Sequence, residues 1–362
     1  MAEQRGISGH LARVQEAVRS GSVRIRGGGT KPALSHGANL DLKDVSGVSE
    51  YNPQEYTFTA PAGTLLADID ALLAAEGQYL PFDPPFAEAG ATLGGTVAAG
   101  LSGPGRFRYG GVRDFILGVT FVNGSGEVVR GGGKVVKNAA GFDFPKLMVG
   151  SLGRFGVMVE LTFKVFPRPE GYATLLLETA NVTGAVKLMR RLAGSGFEAW
   201  GLELHPPNTL LARFGGLDEA LPGRLERVQA FLGQAGEVVT GEREAELWRE
   251  ANRFAWVPAG HALVKVAHSP GQIEGLEQAL APHPLPRRYG VGGNVLYLAW
   301  PEAEHVALDA LLRQHNLSGL ALTGRVPQPQ LGVRTGGAFL ERVSRVFDPR
   351  GVFGLEEATG AA

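Results

Sequence analysis

Glycine constrains what this chain can fold into more than any other residue. There are 53 glycines, about twice the usual ~7% frequency, and they fall in groups at 27–29, 90–111, 124–133 and 141–156. Each group lies where the neighbouring pattern predicts the end of a strand or helix, the place where bare backbone can take positive φ or approach a ligand closely. Beyond about residue 160 the groups thin out. Binding through the backbone is therefore expected in the first half of the chain.

The pattern around the glycines predicts an α+β first half. Leu11, Val14 and Val18 at helical spacing give a helix to Arg19, followed by a strand at 22–26 that runs into "RGGGTK". "ANLDLKDVSGVSEYN" and "EYTFTAPAG" read as short strands, and Thr64 reads as the N-cap of a helix through Glu76. "DFILGVTFVNGSGEVVRGG" is two β-rich runs joined by a hairpin signal, and "VMVELTFKVFPRPE" is a strand ending at Pro167 and Pro169. The prolines mark the expected boundary of a first domain, 1–168, divided at about 60 into two subdomains.

The second half carries an internal repeat. "YATLLLETA", 183–194, "AWGLELHPP", "TLLARFGG", 217–235 and 237–240 give the order βαββαβ. "HALVKVAHS", 270–280, "RRYGV", "NVLYLAW", 302–315 and "GLALTG" repeat it. Two ferredoxin-like halves of this kind predict one antiparallel sheet covered by helices on one face, over 169–335. The connector 243–256 reads as an extra helix, and a last helix at 336–347 precedes "FDPRGVF" in a segment, 336–362, expected to return to the first domain.

Composition narrows the function. A net charge of −1 provides no general field for nucleic acid or an anionic membrane. With no cysteine, thiolate catalysis, cysteine-ligated zinc and iron–sulfur clusters are excluded within this chain. His261 and His268, seven apart on one predicted strand, face opposite sides and make no metal pair. The polar start and the lack of any apolar run near 18 residues favour a cytoplasmic protein.

Any one glycine group is most simply a tight turn. "RGGGTK" gains from its position after a strand, because bare amides beside Thr30 and Lys31 are what a diphosphate needs. It matches neither the P-loop nor the G-x-G-x-x-G spacing. "ATLGGTVAAGLSGPGRFRYGGVRD" reads either as a small-residue helix packed on a sheet or as a loop in which Thr92, Gly94, Gly95, Ser102, Gly103, Tyr109 and Gly110 converge on one ligand.

The ordered set "RGGGTK", "TLGGTVAAGLSGPGRFRYGGVRDFILG", "VKNAAGFDFPKLMVGSLGRFGV" and "FDPRGVF" resembles the FAD-linked oxidases of the vanillyl-alcohol oxidase type, and within them the E-subunit group of bacterial glycolate oxidases. The resemblance covers nearly the whole chain and is strongest over 23–168. It implies a two-subdomain PCMH-type FAD-binding domain followed by a cap domain. It further implies that Arg26, Gly27, Gly28, Gly29, Thr30 and Lys31 wrap the FAD diphosphate, the glycines leaving room for the phosphates. Thr92, Gly94 and Gly95 would form the second side of that grip, with Ala98, Ser102 and Gly103 along the ribityl and flavin portion. Lys137, Asn138, Gly141, Gly150, Ser151, Gly153, Gly156 and Val157 match the segment that lines the cofactor. No histidine or cysteine stands at the attachment position of the first loop, so FAD is expected to be non-covalent.

The reaction the resemblance implies is transfer of a hydride from C2 of a small 2-hydroxy acid such as glycolate to the flavin. Such a substrate needs a cation for its carboxylate and a base for its hydroxyl proton. Arg106, Arg108 and Lys265 are the candidates carried forward, with Arg113 and Arg253 also in range, and for each of them a solvated or structural charge is the simpler reading. Two departures bear on turnover. The catalytic D-subunit group carries H-x-G-D-G-N-x-H where this chain has "RRYGVGGNVLYL", and "FDPRGVF" continues into "GLEE" instead of Asn-Pro-Gly. Three functions stay open: an FAD-binding subunit working with a catalytic FAD subunit and an iron–sulfur subunit, which is preferred; a self-sufficient FAD dehydrogenase of another hydroxy acid or alcohol; and a flavin-free assembly subunit. The preferred one allows a peripheral membrane location through partner subunits, with no insertion by this chain.

Overall fold

The computed structural model of the chain describes residues 2–133 and 142–354. Contacts divide these described residues into two compact units, one of 2–102, 111–133, 142–168 and 335–354, the other of 103–110 and 169–334. The segment Gly103–Gly110, which the sequence reading keeps in the first domain, packs with the second unit: Tyr109 meets Trp200 edge-on at 5.1 Å between ring centroids, and Arg108 pairs with Glu198 at 3.2 Å. Partners some 90 residues away decide its membership, and no local pattern reports them.

The first unit is built on a five-stranded antiparallel sheet in the order Glu50–Asn52, Thr57–Pro61, Val157–Lys164, Ile116–Val122, Val128–Gly132. Thr57–Pro61 is buried along its whole length. The hairpin turns at Asn123, whose Oδ1 accepts from the amides of Ser125 and Glu127 at 3.0 and 2.9 Å. The helix Ala2–Ser20 puts Val14 and Val18 into a core with Val23, Leu40, Val122 and Val157. Val352 and Phe353 complete that core. They are held by the motif before them: Asp348 accepts from the amides of Val352 and Phe353, each at 2.8 Å, and Arg350 donates to the carbonyls of Gly124 and Val18, each at 2.7 Å.

Thr64 does not cap a helix. The helix is Leu66–Ala75 with Leu65 at its N-cap position, and the Thr64 hydroxyl instead donates to the Gly47 carbonyl at 2.8 Å. A buried hydroxyl takes the nearest acceptor in the fold, and here that is a loop 17 residues back.

The second unit holds a nine-stranded sheet, antiparallel throughout, in the order Glu237–Thr240, Gly171–Glu178, Thr209–Gly216, Gly201–His205, Arg287–Gly290, Val295–Pro301, His261–Ala267, Ser318–Ala321, Gln330–Gly332. The chain passes through β-α-β-β-α-β twice. Directly paired residues share a face, so register fixes what each face carries. One row runs Leu177, Leu210, Leu204, Tyr289, Leu296, Val266, all buried. On that side lie helices such as Val182–Ala193 and His305–Gln314: Met189 reaches Gly293, and Leu312 reaches Gly319 beside Val264.

The other face is mixed, and the connector helix Gly241–Arg253 packs on it, its Trp248 and Ala251 clustering with Leu211 and Leu176. Its Trp248 Nε1 donates to Thr174 Oγ1 at 2.8 Å, and its Glu244, only 2% exposed, receives Arg213 through two bonds at 2.8 and 3.1 Å. Among the described residues no helix is long and apolar enough to cross a membrane.

Candidate functional site

The site begins where the strand Ile25–Arg26 ends. Arg26 is engaged with Asp41 at 2.7 Å, so its charge belongs to the strand pair and not to the loop. Along Gly27–Gly29 the glycines answer two separate demands. A Cβ on Gly27 would stand 2.3 Å from Thr92 Oγ1, and one on Gly28 would stand 1.9 Å from the Gly90 carbonyl oxygen. Gly29 takes φ +70°, the left-handed region. The bareness of Gly28 thus serves close approach of the 90–92 segment, a demand the phosphate reading does not include, while Gly28 also lines the cleft.

The loop ends at Lys31, which is 8% exposed. Its Nζ donates to Thr30 Oγ1 at 3.0 Å and lies 5.7 Å from the centre of the Phe86 ring. Neither partner neutralises a charge, and burial brings the lysine pKa down to about 8. Among the described residues the amides of Gly27–Thr30 donate no hydrogen bond. The opposite wall starts at Thr92, whose hydroxyl accepts from the Gly95 amide at 3.2 Å and opens the helix Leu93–Ala99. The stretch thus forms the small-residue helix, and Thr92, Gly94 and Gly95 also line the cleft, as the other reading expects. Gly94 lets it sit against Ala62, since a Cβ there would be 2.7 Å from the Ala62 Cβ.

These residues line one open cleft of about 700 Å³ in the first unit, with Ala98, Gly153 and Gly156. Its apolar walls come from Ile25, Leu42, Leu152 and Met158, with Leu34, Ser35, Ala62 and Ala99 completing it. None of these eight was singled out from the sequence. For Ile25 the signal was present, since it alternates with Arg24 and Arg26 in "VRIR". Unengaged amides, a hydroxyl and a buried ammonium at one end of an apolar cleft fit a phosphate-bearing ligand with a large organic body.

Other residues picked out by motif lie elsewhere. The Ser102 hydroxyl accepts from the Val112 amide at 2.9 Å. Gly150 lies against Gly100, Ser151 Oγ accepts from the Gly153 amide at 3.4 Å, and Val157 pairs with Val122 inside the core. None of the four is in the cleft lining. Gly103, Tyr109 and Gly110 belong to the second unit. Lys137, Asn138 and Gly141 lie outside the described residues.

Of the candidate cations, Arg108 is structural: it donates to the carbonyl and carboxylate of Glu198, both at 3.2 Å, and lies beside the rings of Tyr109 and Trp200. Arg253 pairs with Glu246 at 3.3 Å. Arg113 is exposed in the first unit. Arg106 and Lys265 come together in the second unit. Burial, and after it the Arg106 charge, together lower the Lys265 pKa to about 8. Nearby, "RRYGVGGNVLYL" forms a closed structural network: Arg287 grips Glu277 at 2.7 and 2.6 Å, and the Tyr289 hydroxyl donates to the same carboxylate at 2.6 Å.

Comparison with known proteins decides the family. Residues 10–132 match the FAD binding domain family. Over 245 residues the chain is 37% identical to glycolate oxidase subunit GlcE of Escherichia coli (strain K12), covering 66% of each chain. The chain belongs to the FAD-linked oxidases. FAD is accordingly the cofactor of this FAD-linked oxidase, and the cleft at Gly27–Lys31 has the donor chemistry to suit it. It is also 30% identical over 219 residues to glycolate oxidase subunit GlcD of Bacillus subtilis (strain 168), covering 60% of this chain and 46% of that one. To a D-2-hydroxyglutarate dehydrogenase of Xanthomonas citri pv. viticola it is 31% identical over 280 residues, 67% of this chain and 59% of the relative. The matches thus span between 46% and 66% of these relatives' lengths. Among solved structures, an alkyldihydroxyacetonephosphate synthase superposes with a TM-score of 0.66 over 95% of this chain and 73% of its own, at 17% identity. That likeness shows a shared mixed α/β fold.

Proposed function

We propose that this FAD-linked oxidase oxidises the CH–OH carbon of a small 2-hydroxy acid of the glycolate class, as an FAD-binding subunit of a multi-subunit oxidase. The observation that carries the reading is the cleft in which the open amides of Gly27–Thr30 meet the buried Lys31. These groups would hold the diphosphate, and Thr92, Gly94, Gly95, Ala98, Gly153 and Gly156 would line the rest of the cofactor. FAD, when bound, supplies the hydride acceptor. The chain's own residues hold and orient it: apolar walls exclude water, and the Lys31 ammonium balances phosphate charge that loop dipoles alone cover only in part. The cleft lining contains no histidine or cysteine, in keeping with non-covalent binding.

The second unit acts as a cap of two ferredoxin-like halves, one on each side of the Gly201–His205 and Arg287–Gly290 pairing. The string "RRYGVGGNVLYL", whose Arg287 and Tyr289 are engaged with Glu277, has no histidine or aspartate of the kind the catalytic group's signature carries, which supports a role beside a catalytic FAD subunit and an iron–sulfur subunit. The test is rapid mixing of the isolated FAD-loaded chain, and of the assembled complex, with glycolate and D-lactate. Flavin in the isolated chain should stay oxidised, and flavin in the complex should bleach. Enzyme-like reduction in the isolated chain replaces this reading with a self-sufficient dehydrogenase, and a colourless, folded chain replaces it with an assembly subunit.

A further inference from the structure

The segment 80–91 lies behind the loop Gly27–Lys31 and contributes nothing to the cleft lining. Its backbone is unusual. Asp83 takes φ +45° and Phe86 φ +64°, the left-handed region that a residue with a Cβ enters at a cost, and Gly90 follows at φ +89°. Pro84 and Pro85 hold the chain between the first two. The Phe86 carbonyl accepts from the amides of Ala89 and Ala91, each at 3.1 Å, and the Asp83 amide donates to the Leu80 carbonyl at 3.1 Å. Strain of this kind persists only where the surrounding structure fixes it, and it gathers at functional sites.

The segment meets the loop at two points. One is the Gly90 carbonyl against Gly28. The other is Phe86, whose ring is only 6% exposed and has its centre 5.7 Å from Lys31 Nζ. The direction in which a side chain leaves the backbone follows from φ, so the left-handed turn is what brings this ring to the lysine. A Cβ on Gly95, in the helix Leu93–Ala99, would stand 4.0 Å from the same Nζ.

The elements around the ammonium bring it no counter-charge. Arg26, on its own loop, is paired with Asp41. The helix Leu93–Ala99 carries no ionisable residue. Asp83 and Glu88 belong to the segment behind, and neither contributes to the lowering of the Lys31 pKa to about 8, which burial alone causes. The face of an aromatic ring attracts an ammonium and not a neutral amine, most strongly where water is excluded. Phe86 therefore opposes what burial does to Lys31.

We propose that Phe86 is a positioning residue for the cofactor: its ring, delivered by the left-handed turn, keeps the Lys31 ammonium charged at the cleft that takes the FAD diphosphate. This rests on the reading of that cleft as the FAD site. Phe86 lies outside the lining and acts through Lys31. A phenylalanine that only fills space depends on its shape, whereas a ring that holds a cation depends on the electron density of its face. Fluorine withdraws that density and changes the shape little, so it separates the two.

The test is fluorescence titration of the full chain, stripped of flavin, with FAD at pH 6.5 and pH 8.5. Position 86 carries phenylalanine or its 4-fluoro, 3,5-difluoro or 3,4,5-trifluoro form, placed there alone by nonsense suppression. At pH 8.5, above the Lys31 pKa of about 8, affinity should fall stepwise with fluorine number, by about 5- to 30-fold at three fluorines. At pH 6.5, where the lysine stays largely protonated, the loss should shrink to about twofold or less. Phe86→Leu should behave as the trifluoro protein does, and in a Lys31→Met chain fluorination should change nothing. Equal affinity across the series at pH 8.5, an equal loss at both pH values, or the same loss in Lys31→Met overturns the role of the ring. A flat series beside a Lys31→Met chain that binds FAD weakly overturns the proposal and leaves the cleft as the FAD site. A Lys31→Met chain that binds FAD as wild type does removes that reading of the cleft and the proposal with it.

Discussion

Replacing Gly28 by alanine separates two reasons for a bare loop. If glycine is there to admit phosphate, the variant should fold normally and lose only cofactor. The structure says otherwise, because the new Cβ would stand 1.9 Å from the Gly90 carbonyl oxygen, and real Cβ atoms essentially never come within 3.0 Å. The two backbones must part by at least 1.1 Å (3.0 − 1.9). Gly90 is not free to yield: its amide donates to Ala87 at 3.0 Å, the next amide to Phe86 at 3.1 Å, and the Ala91 carbonyl accepts from Leu66 at 2.9 Å. Overpacking of this kind costs roughly 1–3 kcal/mol. At about 2–4 °C per kcal/mol, that lowers the Tm of the FAD-free protein by about 2–12 °C. Flavin retention falls as well, because Phe86 lies beneath Lys31. Gly29→Ala is the control: its Cβ meets only Arg26 Cδ at 3.8 Å, leaving the ~1 kcal/mol strain of φ +70°. The assay is thermal unfolding by circular dichroism, with flavin absorbance after gel filtration. A Gly28→Ala protein with unchanged Tm, or one more stable than Gly29→Ala, refutes the reasoning.

Three further outcomes are expected. Lys31, with its pKa lowered to about 8 by burial, is protonated more readily in the unfolded chain between pH 8 and its ordinary 10.5, so FAD-free stability should rise with pH across that window. Lys31→Met should abolish the rise in urea titrations and weaken FAD binding about 10- to 100-fold by fluorescence titration, the loss of one charge-assisted contact. Arg213→Ala strands the buried Glu244 and should cost about 3–5 kcal/mol in urea unfolding, partly recovered by adding Glu244→Gln. Arg350→Ala removes bonds to Gly124 and Val18 and should cost about 1.5–3 kcal/mol, read as a lower Tm of the FAD-free chain.

What could be read from the sequence was whatever local chemistry decides. The connector helix at Gly241–Arg253 and the last helix at Gly337–Phe347 announce themselves by helical apolar spacing, and the hairpin at Asn123 by its turn residues. The Gly27–Lys31 loop was legible as a candidate because bare amides, a hydroxyl and an ammonium follow a strand there, and only the resemblance to FAD-linked oxidases supplied its ligand. Partners distant in the chain were not legible. Thr64 looks like an N-cap until Gly47 is seen above it, and Tyr109 looks like a cofactor contact until Trp200 is seen beside it. Ser102 was chosen for its hydroxyl, which is spent on the Val112 amide. In each case the residue type was read correctly as a group needing a partner, and tertiary structure supplies one that no local pattern reports.

The two lysines show why the surroundings of one residue were easier to infer than those of the other. Lys31 sits in a loop whose other donors are backbone amides, and amides of neighbouring residues stay together whatever the rest of the fold does. Such a cradle needs few specific side chains beyond its own loop. Lys265 stands instead in a row gathered from strands at 201–205, 261–267, 287–290 and 295–301 and from the turn at 106–109. Its neighbours are set by register, and moving any one strand by a single residue sends that strand's member of the row to the apolar face. A row of that kind depends on the whole sheet, and for the same reason no short stretch of sequence contains it.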